Sequence, residues 1–469
     1  MNTTRPNHVD PPLMLSVSGA RGLMGLTMTP VVAARFAAAF GSRIAANAAP
    51  GEAKRVCIGR DGRAGGEALA AAIAGALAAV GLEVVDLGVA TTPTVGVAIR
   101  HHRALGGMVV TASHNPQQWN GLKCLDGDGL APPPAIAHSI IEDFKADRAT
   151  YAAPTAIPRI RRDEAATDFH VERVLECVDV ESIRQARLVA AVDSVNASGS
   201  RGAALLLDAL GVAMHQIHGD PSGVFPHTPE PLAENLVGLA EATRAHGASV
   251  GFAQDPDADR LAIVDERGVF IGEEYTLALA ALRAFERFGS GVAAANLSTS
   301  RLIDAVAARF PGSSVIRTAV GEANVVAALK AHDGVVGGEG NGGIILPRVG
   351  WVRDSLAGMA LVLDLLAARR EPLSAIVAEL PRLSMVKRKH DLAAIGGLGV
   401  VPEMIERLRR EFAGAACNDA DGIRFDLSEG WVHFRASNTE PIVRLIAEGV
   451  DDAAAAALAD RAARGAGLA

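Results

Sequence analysis

Apolar and polar positions repeat along this chain in one rhythm. A short apolar run is followed by a loop of small polar residues, then by an amphipathic stretch. The run Arg55-Val-Cys-Ile-Gly59 predicts a buried strand, and Gly66 to Val80 predicts the helix after it. Leu82 to Leu87 predicts the next strand, Thr91-Thr-Pro-Thr94 opens another helix, and Met108-Val-Val110 begins a third strand. Ahead of these, Thr29-Pro30 starts a helix that runs to Ala46, with Pro in the first turn and Thr before it. Strand, loop and helix in this order predict a mostly parallel sheet covered by helices, with ligands at the carboxyl ends of the strands.

The rhythm recurs twice. Strands at Leu188–Asp193 and Ser249–Ala253 are interleaved with helices at His170–Cys177, at Ala203–Leu210 and from Glu234. Strands at Val292–Asn296, Val315–Val320 and Gly334–Gly337 are followed by the strongly apolar helix Leu356–Ala368. From about Leu383 the pattern changes to a helix, Pro402–Phe412, and strands Gly422–Leu427 and Gly430–Arg435. Composition shifts to Pro, Ala and Thr between Ala149 and Pro158, and the chain changes character again around Glu371 to Ser374. These breaks predict three α/β domains, 1–155, 156–266 and 267–376, and a smaller C-terminal domain, 377–469.

Composition narrows the class. Of 469 residues, 49% are apolar and only 4% aromatic, so the cores must pack small aliphatic side chains closely. The net charge of −8 argues against a general nucleic-acid binder but leaves room for a phosphorylated substrate. Cys57, Cys124, Cys177 and Cys417 lack metal-ligand spacing and read as reduced thiols. There is no apolar signal core at the start and no stretch long enough to span a membrane, so a cytoplasmic protein is expected.

Four loops carry candidate chemistry. Thr111-Ala-Ser-His-Asn-Pro116 leaves the end of a strand, with Asn120, Gly121 and Lys123 closing the segment. It reads either as a polar turn or as a displayed nucleophile, Ser113, with His114 and Lys123 as proton-transfer partners. Near the start, glycines flank Arg21 so that the backbone can turn tightly and present the guanidinium. Asp255-Pro-Asp-Ala-Asp-Arg260 sits between two apolar strands. In an extended loop the three aspartates point the same way and converge on one cation, and hard oxygen ligands suit Mg²⁺. Gly337-Gly-Glu-Gly-Asn-Gly-Gly343 lets Glu339 and Asn341 approach a polyhydroxylated ligand, or is a glycine-rich hairpin tip. Arg435-Ala-Ser-Asn-Thr-Glu-Pro441, with Arg444 beyond it, reads as a phosphate cradle or a hairpin turn. The basic run Lys387 to Lys389 reads as a solvated strand edge.

These four motifs, in this order and over nearly the whole chain, resemble the α-D-phosphohexomutase family. The resemblance implies three related α/β domains, a C-terminal domain of TATA-box-binding-protein-like shape, and a cleft where the four meet. It implies Ser113 as a phosphoserine and Mg²⁺ on Asp255, Asp257 and Asp259 with the Ser113 phosphate. Arg21 and Arg260 would stabilise the transferring group, and Lys123, ahead of His114, would move the proton. Glu339 and Asn341 would read sugar hydroxyls. Arg435, Ser437, Asn438 and Thr439, with Arg444, would hold the phosphate that is not reacting. The implied reaction interconverts a hexose 1-phosphate and 6-phosphate, with a sugar 1,6-bisphosphate as intermediate and activator. The implied partner is a phosphorylated hexose, with no nucleic acid or membrane, and the protein a monomer or homodimer.

Two positions depart from the common pattern. Many members have histidine at the end of the sugar loop, where this chain has Gly343, and many have glycine where Asn438 stands. The Asn341-Gly-Gly343 form is most similar to the archaeal-type phosphoglucosamine mutases. Glucosamine phosphate therefore leads, with phosphomannomutase/phosphoglucomutase next. A sugar-phosphate phosphatase or a binding protein without turnover are the remoter readings.

Overall fold

A computed structural model describes residues 13–49, 51–437 and 442–468. The chain divides into two compact units. One runs to Gly272 and takes in Gly343–Leu373, and the other comprises Glu273–Gly342 and Ser374–Ala469.

The first sheet has a parallel centre. Arg55–Arg60 lies between Glu83–Val89 and Gly106–Val110, all three parallel, and Ile160–Arg162 adds to the outer side of Glu83–Val89. Trp119–Asp126 then returns antiparallel beside Gly106–Val110, with Val109 opposite Lys123. Gly19–Leu23 and Met14–Ser16 continue the sheet antiparallel. Two expectations change here. Arg21 stands on a strand, opposite Gly121, and not in a tight turn. Lys123 lies in the middle of a strand, which sets the direction of its side chain.

Small side chains let the layers close. The helix Pro30–Ala46 is capped by Thr29, whose hydroxyl accepts from the Val32 N–H, and it buries Ala37, Ala38, Ala39 and Gly41. A Cβ on Gly41 would press against Val80, Leu77 and Leu82, so this glycine sets how near the helix comes to its neighbour. Phe36 and Phe40, both buried, are the large members of that core.

The second sheet has the order Leu261–Asp265, Val250–Gln254, Val189–Asp193, Ala213–Ile217, antiparallel in its first pair and parallel in the other two. The helix Ser355–Arg369 starts at Asp354, whose carboxylate caps the Leu356 N–H. In the second unit, Val292–Asn296 pairs in parallel with Ser314–Thr318 and Val336–Glu339. The C-terminal sheet is antiparallel throughout, in the order Ser384–Asp391, Ile442–Gly449, Gly430–Ala436, Ile423–Asp426, Ala416–Asn418. Lys387 to Lys389 lies on the edge strand, as the charge run predicted. Helices Val401–Glu411 and Asp452–Ala466 supply Leu408, Leu458 and Ala462 to this core. Sequence reading did not assign the helix Pro134–Lys145, the strand Ala213–Ile217 or the final helix. Among the described residues no helix is long and apolar enough to cross a membrane.

Candidate active site

Ser113 follows the strand Gly106–Val110 and is buried rather than displayed, at 3% exposure. Its backbone takes a left-handed conformation, φ 50°, which is uncommon for a residue with a side chain. The surrounding bonds hold it there. The Ser113 N–H donates to Thr111 Oγ1 at 2.8 Å, and Thr111 Oγ1 donates to Asp61 Oδ2 at 2.7 Å. The buried Arg63 guanidinium, paired with Asp61 at 3.1 Å, donates to the carbonyl oxygens of Ser113, Asn115, Pro116 and Trp119. One fully buried fork thus ties down the whole loop.

The Ser113 hydroxyl donates to Asp255 Oδ2 at 2.9 Å. Oxygens of Asp255, Asp257 and Asp259 lie within 4.8 Å of one another, and all three residues are buried. The loop that brings them together is not extended. The Ala258 N–H donates to the Asp255 carbonyl at 2.9 Å, and Ala258 has φ 51°, so a tight turn does the converging.

Three cations offset this charge. Lys123 Nζ donates to Asp257 Oδ2 at 2.6 Å and Asp259 Oδ2 at 3.0 Å. Arg353 Nη2 donates to Asp259 Oδ2 at 2.6 Å, and Arg260 Nε lies 3.9 Å from Asp259 Oδ1. Thr92 Oγ1 donates to Asp257 Oδ2 at 2.6 Å. Burial pushes the Asp255 carboxyl up, and the charges of Asp257 and Asp259 add to that. Burial acts the same way on Asp259, but Arg353, Lys123 and Arg260 outweigh it and hold Asp259 well below the usual range. Burial would lower Lys123, yet Asp257 and Asp259 hold its ammonium above the ordinary value. His114 Nδ1 lies 3.4 Å from Ser113 Oγ, and burial, with Arg260 and Arg21 beside it, lowers this imidazole to about 3. Arg21 Nη1 donates to Asn115 Oδ1 at 3.0 Å.

The carboxylates fit a divalent ion. Their Oδ2 atoms are taken by the serine, lysine, threonine and Arg353. Asp257 Oδ1 and Asp259 Oδ1 are buried without a hydrogen-bond partner. Buried carboxylate oxygens without a hydrogen-bond partner, grouped in this way, could hold a hard cation.

The second unit carries the other predicted groups. Glu339 ends its strand, and its Oε1 accepts from Asn296 Nδ2 at 2.8 Å and from the Gly321 N–H at 3.2 Å. Gly340 follows, where a Cβ would overlap the Glu274 carboxylate. Burial raises that carboxyl to about 7. Asn341 lies in the turn beyond. Arg435 is buried and pairs with Asp421 at 2.8 Å, and Asp421 also accepts from the Val320 N–H. Ser437 ends this described stretch and Arg444 stands on the strand Ile442–Gly449. Asn438 and Thr439 lie outside the described residues.

Sequence reasoning assigned no role to Asp61, Arg63, Thr92 or Arg353. The charged cluster Arg60-Asp-Gly-Arg63 after a buried strand was the available signal for the first two. Arg353 also answers the Gly343 departure: a Cβ at Gly343 would overlap the Arg353 side chain.

Family models described as phosphoglucomutase/phosphomannomutase alpha/beta/alpha domains I, II and III match residues 14–150, 168–268 and 273–383, and the model for the C-terminal domain matches 384–465. The chain is 35% identical over 431 residues to a phosphoglucomutase/phosphomannomutase of Thermococcus kodakarensis, covering 92% of this chain and 93% of that relative. It is also 35% identical over 444 residues to a probable phosphoglucosamine mutase of Methanopyrus kandleri, covering 94% and 95%. A crystal structure of a phosphoglucomutase/phosphomannomutase family protein from Burkholderia thailandensis superposes with a TM-score of 0.83 at 28% identity, over 97% of this chain and 98% of that one. Three related α/β domains ahead of an antiparallel C-terminal domain are the fold of a phosphohexomutase, an isomerase of hexose phosphates. The chain belongs to the phosphoglucomutase/phosphomannomutase, or α-D-phosphohexomutase, family.

Proposed function

We propose that the protein interconverts glucosamine 6-phosphate and glucosamine 1-phosphate through a phosphoserine at Ser113 and a sugar 1,6-bisphosphate. The observation that supports this most is the Ser113 hydroxyl, 2.9 Å from Asp255 within a cluster of three buried carboxylates. Phosphorylated Ser113 gives its phosphoryl group to the free sugar hydroxyl. The P–Oγ bond breaks, a P–O bond to the sugar forms, the sugar hydroxyl gives up its proton, and Ser113 Oγ takes one up. After the bisphosphate turns over, Ser113 Oγ loses its proton and takes the other phosphoryl group. The product is released with phosphoserine restored.

His114 Nδ1 lies 3.4 Å from Oγ, but burial beside Arg260 and Arg21 lowers its imidazole to about 3, which makes it a weak base and a hydrogen-bond partner of Oγ rather than the proton carrier. Lys123 sits on Asp257 and Asp259 as an ammonium and supplies charge, with Arg21 and Arg260, to the transferring group. Lys123 stays ahead of His114 as the proton-transfer candidate, its ammonium able to give a proton to the oxygen that is released. Mg²⁺ would be held by Asp255, Asp257, Asp259 and a Ser113 oxygen, and would supply Lewis-acid stabilisation of the breaking P–O bond. Glu339 and Asn341 would read sugar hydroxyls, while Arg435, Ser437, Asn438, Thr439 and Arg444 would anchor the non-reacting phosphate, which makes transfer nearly unimolecular. A hexose-phosphate substrate and four cysteines that form no disulfide fit a cytoplasmic enzyme.

Glucosamine is supported by the Asn341-Gly-Gly343 loop and by the name of the Methanopyrus kandleri relative. The name of the Thermococcus kodakarensis relative, at the same 35% identity, favours glucose or mannose as the second reading. A coupled assay of glucosamine, glucose and mannose 6-phosphates decides between them. The highest kcat/KM is expected on glucosamine 6-phosphate. Higher turnover of another sugar overturns that choice, and release of inorganic phosphate without a sugar 1-phosphate would make the protein a phosphatase.

A further inference from the structure

A second group of ligand-type side chains converges in the first unit, at the end of the strand Val189–Asp193. Asp193 is buried, and its Oδ1 accepts from the Val195 N–H at 2.9 Å. Its Oδ2 faces two imidazoles, with His218 Nδ1 at 3.0 Å and His227 Nε2 at 3.0 Å. One carboxylate oxygen and one nitrogen from each ring lie within 4.8 Å of one another.

Donors and acceptors at His227 place a positive charge between its ring and Asp193. Its other nitrogen, Nδ1, lies 2.8 Å from the carbonyl oxygen of Thr228, which can only accept. A neutral imidazole carries one N–H. Given to that carbonyl, it leaves Nε2 as a bare lone pair aimed at a carboxylate oxygen. The 3.0 Å gap is closed by a cation, either a proton, which makes His227 an imidazolium donating to both partners, or a metal ion that displaces that proton. A backbone carbonyl that holds one ring N–H is the usual outer partner of a metal-ligating histidine.

The chain is bent to build this corner. Val195, Asn196 and His218 all have left-handed backbones, φ 45°, 53° and 48°, and Val195 is β-branched. The Asn196 N–H donates to the His218 carbonyl at 2.7 Å, which locks the two bends together. Both rings keep solvent access, at 33% and 21%, so an ion and a water ligand can enter.

We propose that Asp193, His218 and His227 bind a divalent ion of Zn²⁺ type through Asp193 Oδ2, His218 Nδ1 and His227 Nε2, with water completing the shell. Two imidazoles and one carboxylate suit a borderline ion such as Zn²⁺, whereas the all-oxygen loop at Asp255 to Asp259 suits Mg²⁺. The ion has a structural task. Gln117, just past the serine loop, donates to the Gly223 carbonyl at 2.6 Å and accepts from the Phe225 N–H at 2.8 Å. The Arg63 guanidinium lies 5.0 Å over the Phe225 ring. Tying His218 to His227 therefore braces the segment that leans on the Ser113 loop.

The test is a Co²⁺ titration of chelator-stripped, full-length protein in excess Mg²⁺, followed by visible absorption. A nitrogen-ligand band is expected that Zn²⁺ displaces. It should be lost in His218→Ala and in His227→Ala and retained in Asp257→Asn. No band in the wild type, or a band unchanged in both histidine variants, overturns the site. Carbethoxylation of the wild type gives the same answer without a variant. Zn²⁺ should slow modification of His218 and His227, and an unchanged rate contradicts the proposal.

Discussion

Arg353 runs through the space that a side chain on Gly343 would fill, and from there it reaches Asp259 at 2.6 Å. The glycine and the arginine are thus two halves of one device. Through the space left by Gly343, this chain passes a guanidinium to an acidic loop. Gly343→His should push Arg353 off Asp259 and lower Mg²⁺ affinity and turnover about ten- to a hundredfold, the range for loss of an outer partner of a metal ligand. A Mg²⁺ titration of turnover reads this directly, and an unchanged midpoint would mean that Arg353 does nothing for the site.

Arg63 is fully buried, paired with Asp61, and serves four carbonyl oxygens around Ser113. Arg63→Met leaves Asp61 as an uncompensated buried charge and the carbonyls without a donor. A loss of about 3–5 kcal/mol in denaturant unfolding is expected, with loss of turnover. A loss below about 1 kcal/mol would show that the loop holds itself.

Glu274 is held near pKa 7 by burial. The folded chain therefore keeps a proton that the unfolded chain has lost between about pH 4.5 and 7. Stability contributed by this group is full below that window and falls as pH rises through it. Glu274→Gln removes the ionisation and keeps the shape beside Gly340. Melting at pH 5 and pH 8 should show the variant gaining on the wild type at the higher pH by about 1–3 kcal/mol. An identical pH slope in both proteins would place the carboxyl in contact with water.

The strand–loop–helix order was legible because buried strands and amphipathic helices write different periods into the sequence. That Ser113 and the three aspartates share one site was legible for a related reason: polar residues set between apolar runs mark loops at the ends of buried strands. What the sequence withheld were residues that act across distance. Arg63 lies fifty positions from Ser113, and Arg353 lies ninety-four from Asp259. No local pattern links such pairs; the crossover connections do. The aspartates were expected to converge by extended alternation, and they converge through a turn at Ala258 instead, because backbone hydrogen bonding overrides the period of two. Lys123 was expected within reach of Ser113, on the same site. Its place on a strand opposite Val109 sends it to Asp257 and Asp259.

The central claim is that one hydroxyl, Ser113 Oγ, carries the phosphoryl group. Incubating the protein with a ³²P-labelled hexose 1,6-bisphosphate and mapping the label by peptide mass spectrometry tests it most directly. The account predicts one acid-stable label on the peptide containing Ser113, chased off by sugar monophosphate, with no label and no mutase turnover in Ser113→Ala. Mutase turnover retained in Ser113→Ala, or label on another side chain, would contradict it.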